Sequence, residues 1–184
     1  VFFALATAPG VAPALGAGPA NALCFVGSWF FTTAAWMQLS LSDRRRHGEW
    51  WAAATQFAGT LLFNVSTGAA VWAHAVAEER RYVWAPDATG SALFLVSGAL
   101  AMAAIAAVSG VLELRSRDWQ AGAVNLVGCI AFGVSAVAAF VRGGGITVDE
   151  PLANLGTFLG ALCFLVAALM EVPRRGSRMR SGVG

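Results

Sequence analysis

Gly27-Ser28-Trp29-Phe30-Phe31-Thr32-Thr33-Ala34 decides the architecture, because the chain repeats its pattern five times. A glycine is followed at once by a small residue, four places on by phenylalanine, and seven places on by a second small residue. After Gly27, Phe31 and Ala34 the copies are Gly59-Thr60…Phe63…Ser66, Gly90-Ser91…Phe94…Ser97, Gly128-Cys129…Phe132…Ser135 and Gly160-Ala161…Phe164…Ala167. Their starts lie 32, 31, 38 and 32 residues apart, and each copy sits inside its own apolar run. At about 100° per residue, positions 0, 4 and 7 fall within roughly 60° on a helix. Each run therefore carries a seam of one notch and one knob. Apolar helices in lipid find one another by close packing over small residues, since burial from water no longer drives them together. The seam predicts helix packing through Gly27, Phe31, Gly59, Phe63, Gly90, Phe94, Gly128, Phe132, Gly160 and Phe164, with Gly156 and Gly160 adding a GxxxG face.

Composition agrees with a bilayer as the solvent. Of 184 residues, 58% are hydrophobic and 12% charged, against roughly 45–50% and 25% in soluble domains. Five apolar runs, about 20–41, 50–74, 89–112, 119–141 and 152–171, free of charged residues up to the closing Glu171, have the length that spans a hydrocarbon core. None alternates with period two, which excludes a strand barrel. The expectation is an all-α polytopic membrane bundle over residues 1–172, with a basic tail at 173–184. Phe3 and Ala6 have the spacing of a repeat's phenylalanine and last small residue. They predict that residues 1–8 are the end of a sixth helix, followed by a connecting loop from Pro9 to Pro19.

The 12 basic residues are all arginine and all lie outside the runs. If the runs alternate in direction, nine fall on one side (Arg44, Arg45, Arg46, Arg115, Arg117, Arg174, Arg175, Arg178 and Arg180) and three, Arg80, Arg81 and Arg142, on the other. The positive-inside rule makes the first side cytoplasmic, in a bacterial inner membrane, with loop 42–49 and the C-terminus inside. A nucleic-acid partner is excluded as a reading, because no soluble module accompanies the arginines. Glu78 to Thr89 reads as the longest charged outer loop, and Arg142-Gly143-Gly144-Gly145 as a flexible break after the fifth run.

Chemistry is sparse. His47 and His74 fall on opposite faces, and Cys24, Cys129 and Cys163 stand singly in apolar runs, so no metal site is indicated. All ten carboxylates read as helix ends or loops, which leaves no intramembrane acid for a proton relay. No nucleophile, phosphate-binding or dinucleotide motif is present, so the expectation is no enzyme and no cofactor. The candidate polar site within the membrane is Asn64 with Thr67, to which Asn125 and Asn154 could add from other helices. An unpaired amide in hydrocarbon is costly, and Asn64 is expected to bond a neighbouring helix.

The segments FVGSWFFTTAA, WWAAATQFAGTLLFNVST, VWAPDATGSALFLVSG and NLGTFLGALCFLVAAL resemble the YrhK-like family of small bacterial membrane proteins. The resemblance implies helices built on such units and carries no assigned activity, so no functional residue transfers. The leading expectation is a non-catalytic accessory or scaffold subunit that packs against lipids, other integral membrane proteins or its own copies. The alternative is a transporter or channel with Asn64 lining its path.

Overall fold

The computed structural model describes residues 1–109 and 113–172; the basic tail lies outside the described residues. The elements are helical throughout: α1 (Phe2–Thr7), α2 (Val11–Leu15), α3 (Ala17–Leu41), α4 (His47–Ala69), α5 (Val76–Glu78), a π-helical stretch (Glu79–Trp84), α6 (Ala85–Ser109), α7 (Arg117–Ala138) and α8 (Glu150–Glu171). Four stretches are long and apolar enough to cross a membrane: Ala17–Leu41, Val76–Val108, Arg117–Ala138 and Glu150–Glu171. The fifth expected span falls in α4, which is as long as the others at 23 residues but is not among these four. Gln56, Thr60, Asn64, Ser66 and Thr67 lower its apolarity, and all but Asn64 are turned into the bundle and buried.

The five helices that carry a repeat, together with α1, which carries only Phe3 and Ala6 of one, form a closed ring. α3 packs on α4, α4 on α6, α6 on α7 and α7 on α8, while α1 lies between α8 and α3 and closes the circuit. Neighbours run antiparallel, as the pairs Asn21 with Ala70 and Thr32 with Thr60, and Ser97 with Ala52, require. The repeat explains the pairing. Gly59 and Gly90 meet back to back: a methyl group added to Gly59 would stand 2.6 Å from the Phe94 ring and 3.0 Å from the Gly90 carbonyl. Gly128 and Gly160 do the same for α7 and α8, and there each glycine receives the other helix's phenylalanine. Gly27 takes Phe2 and Phe3 of α1, and Gly156 approaches the Ala131 carbonyl and Ser135.

Because each phenylalanine lies four residues, about 6 Å, beyond its glycine, antiparallel neighbours would hold theirs at two levels. Helical side chains lean toward their own N-terminus, so the two levels are drawn together and the rings meet at the centre of the bundle. Phe31, Phe94 and Phe164 form a triangle with centroids 5.5, 5.4 and 6.0 Å apart. Phe63 joins Phe3 at 5.4 Å and Phe132 at 5.5 Å, and Phe132 stacks on Phe164 at 5.2 Å. One phenylalanine from every ring helix thus fills the centre.

Several local readings need correction. Pro9 to Pro19 is not one loop: α2 occupies part of it, and Pro19 lies in the first turn of α3, where a missing N–H costs nothing. Glu78 to Thr89 is helical. Charge marks where a helix leaves lipid and says nothing of where it stops. Pro86 has no N–H to give Tyr82, and just before it the Ala85 N–H reaches back five residues to Arg80, the widened pattern of a π-turn. Arg142 to Gly145 is a tight hairpin, with Arg142 N–H on the Ile146 carbonyl at 2.8 Å, Gly145 at φ 78° and a bridge between Val141 and Thr147. The π-stretch secures it: Arg80 Nε donates to the Val141 carbonyl at 2.6 Å and Trp84 Nε1 to the Ala136 carbonyl at 2.9 Å. These bonds satisfy carbonyls at and just past the C-terminal end of α7, which its own helix cannot.

Ala34 is exposed, whereas the corresponding Ser66, Ser97, Ser135 and Ala167 are buried. α1 has six residues to the 25 of α3, so this part of α3 has no neighbour on that side among the described residues.

Candidate functional site

The polar groups inside the bundle concentrate on α4, and its helical phase sorts them. Gly59, Leu62 and Ser66 lie on the side of α6, while Thr60, Asn64, Thr67 and Gly68 lie on the side of α3. Along this second seam the bonds form a ladder. Asn21 Nδ2 donates to the Ala70 carbonyl at 2.9 Å, Thr67 Oγ1 to Ser28 Oγ at 3.1 Å and Thr32 Oγ1 to the Thr60 carbonyl at 3.4 Å. Thr67 also reaches the Phe63 carbonyl at 2.8 Å and Ser28 the Phe25 carbonyl at 2.7 Å. Asn21, Thr32 and Thr60 were missed as members of this ladder. Their signal was the helical spacing of short polar side chains on two consecutive runs.

Asn64 sits among these groups and differs from expectation. Its Oδ1 is enclosed and has no hydrogen-bond partner among the described residues, so the expected bond from this oxygen to a neighbouring helix is not found there. Thr67 is close by in sequence, but its hydroxyl is directed at Ser28 and at the Phe63 carbonyl, with the Asn64 backbone carbonyl at 3.4 Å. Asn125 and Asn154 do not join them. Asn125 Nδ2 contacts Cys129 Sγ at 3.9 Å within α7, and Asn154 is half-buried near the start of α8.

Gln56 was passed over because it lies well round the helix from Asn64. It is 7% exposed and its Oε1 is also unpartnered. Gln56 and Asn125 stand seven residues before Phe63 and Phe132, two helical turns away on the same face. The readable signal was an amide at the same repeat position twice. Ser91 Oγ is a third buried group without a partner. It stands one place after its glycine, as Ser28 does, and Ala136 occupies the α7 position that Thr67 holds on α4. Ser28 has Thr67 across its seam, whereas Ser91 has alanine at the equivalent place. Ala136→Thr should therefore supply the missing bond and raise stability by about 1 kcal/mol, measured by unfolding in mixed micelles.

No group of three or more His, Cys, Asp or Glu side chains able to hold a metal ion occurs among the described residues. His47 opens α4 and His74 follows its end, so about 35 Å of helix separates them. One acid departs from the sequence reading: Asp87 lies within a continuous helical stretch from Val76 to Ser109 and is half-buried. It stands two turns before Phe94, on that residue's face. What the interior offers is hydrogen-bonding acceptors and hydroxyls beside a column of rings. It has the means to hold helices together or to bind a neutral polar group. No protein-family model matches the chain, and neither a curated protein nor a solved structure matches it.

Proposed function

We propose that this chain is a non-catalytic integral membrane subunit, of the YrhK-like kind, that packs against other membrane proteins, lipids or its own copies. The observation that supports it is the aromatic column: Phe94 and Phe132 are 0% and 2% exposed, and six rings occupy the axis along which a solute would pass. Many large apolar side chains outside the column are exposed, including Trp29, Phe30 and Trp36 on α3. In this reading α4 also crosses the bilayer, shielded by its neighbours, and the ring has five complete spans. The His47 end faces the cytoplasm, where three consecutive arginines stand. Single cysteines placed at positions 47 and 144 test this: outside labelling is expected at 144 alone, and labelling at 47 in intact cells would reverse the assignment.

The unpartnered oxygens of Asn64 and Gln56 are where a transport reading would begin. Two measurements separate it from the subunit reading. Proteoliposomes should pass water and small solutes no faster than empty vesicles, and a flux that falls in Asn64→Leu would overturn the proposal. A photo-crosslinking residue in place of Trp29 should capture an integral protein or a second copy in native membranes; lipid adducts alone would reject protein packing on this face. Asn64→Leu should also leave stability unchanged or raise it by about 1 kcal/mol, since an unpaired acceptor is removed. A loss of that size would show that a group from outside the chain holds Oδ1 in the membrane.

A further inference from the structure

A groove of about 400 Å³ lies between the start of α4 and the last turns of α6. It runs from Arg46, His47 and Glu49 along Leu100, Ala104 and Ala107. Its shape follows from small side chains. A methyl group added to Gly48 would come within 3.2 Å of the Ala104 side chain, so the two helices nearly touch there. The alanines beyond leave the floor unfilled. The groove is apolar along α6 and charged at one end only.

That end carries a basic rim. Arg46 is paired with Glu49 at 2.6 Å, but the Arg44 and Arg45 guanidinium groups make no ion pair among the described residues, and all three arginines are exposed. Arg44 lies over the Trp50 ring at 5.8 Å, and Trp50 meets Trp51 edge-on at 5.0 Å. Tryptophans concentrate at the level of lipid headgroups, which puts the rim at the membrane surface and the apolar floor in hydrocarbon. Basic pockets between spanning helices suit anionic headgroups.

We propose that this groove holds one acyl chain of an anionic glycerophospholipid, with its phosphate at Arg44, Arg45 and Arg46. The proposal rests on α4 and α6 being membrane-embedded. The full chain in mild detergent, given equal amounts of phosphatidylglycerol and phosphatidylcholine, should retain the first with about 25-fold preference by native mass spectrometry, from the two arginines without an ion pair, worth roughly fivefold each at a membrane surface. Replacing the three arginines together (Arg44→Gln, Arg45→Gln and Arg46→Gln) should abolish the preference. Ala107→Phe, at an exposed position that leaves the helix contact intact, should lower retention of both lipids. Arg115→Gln with Arg117→Gln, at the same end of the bundle, should change neither. Equal retention by the wild-type chain, or an equal loss in the Arg115 and Arg117 variant, would overturn the site and leave only general surface charge. Carbonate extraction from phosphatidylglycerol vesicles keeps the two readings apart. A chain that washes off refutes membrane embedding and the lipid site with it, whereas one that stays without lipid preference refutes the site alone.

Discussion

Gly59→Leu should leave no folded bundle in detergent, and Gly59→Ala should already lose about 1–3 kcal/mol of stability relative to the wild type. A Cβ at this position would sit 2.6 Å from Phe94 Cε1, closer than real Cβ contacts come, and 3.0 Å from the Gly90 carbonyl oxygen, which is tighter than most of them. Relief would require moving either a ring fixed by its neighbours or the backbone of α6. Overpacking of a well-filled contact costs about 1–3 kcal/mol for a single methylene, and leucine adds several more atoms to the same point. Gly144→Ala provides the control, because nothing lies within 4 Å of the added methyl group. Titration with sodium dodecyl sulfate, followed by loss of helical ellipticity, gives both numbers. A Gly59→Leu chain that elutes and melts like the wild type would show that α4 and α6 do not meet at this notch.

Phe94→Ala should cost about 3 kcal/mol, the low end of the range for removing a buried phenylalanine. In lipid the transfer of the side chain out of water no longer contributes, and the loss is one of packing. That loss is large here because the Phe94 ring meets those of Phe31, Phe63, Phe132 and Phe164 at 5.5 to 6.0 Å. Leu169→Ala, on the outside of α8 at 61% exposed, should lose less than about 0.5 kcal/mol. If the two substitutions cost the same, the rings do not form the core. Phe132→Ala, outside the triangle of Phe31, Phe94 and Phe164, should match Phe94→Ala; a much smaller value would mean that the triangle carries the column alone.

Helices and their notched seams were legible because both depend on residues a few places apart on one strand of sequence. Glycine and phenylalanine four residues apart share a face whatever else the chain does. The meeting of all six phenylalanines was not legible, since it follows from a ring closing, and nothing within one run states which run comes next to it. Asn64 failed for the same reason. A buried amide was expected to find a partner, but the hydroxyls of α3 that come nearest in phase are already committed to Thr67 and to backbone carbonyls. Gln56 and Asn125 could have been paired from the repeat alone by counting back from each phenylalanine. Glu78 to Trp84 misled because charge and helix were treated as exclusive. Arg142 to Gly145 misled because glycine permits a flexible chain and a fixed turn equally, and the bonds that decide between them come from Arg80, 61 residues away.

The closure of the ring by α1 also sets a timetable. α1 is among the first segments described and rests partly on α8, which is among the last. At roughly 5–20 residues per second of synthesis, the interval between the two is about 10–30 s. Throughout it the hairpin of α4 and α6 can form, and Phe3 already has Phe63 within reach, but α8, the other neighbour of α1, does not yet exist. A soluble protein in that position would expose an apolar surface to water and risk aggregation. Here the waiting face is covered by acyl chains as apolar as the side chains that will replace them, so delay carries little penalty. Membrane insertion thus lets α1 wait in lipid until α8, made some 150 residues later, arrives beside it.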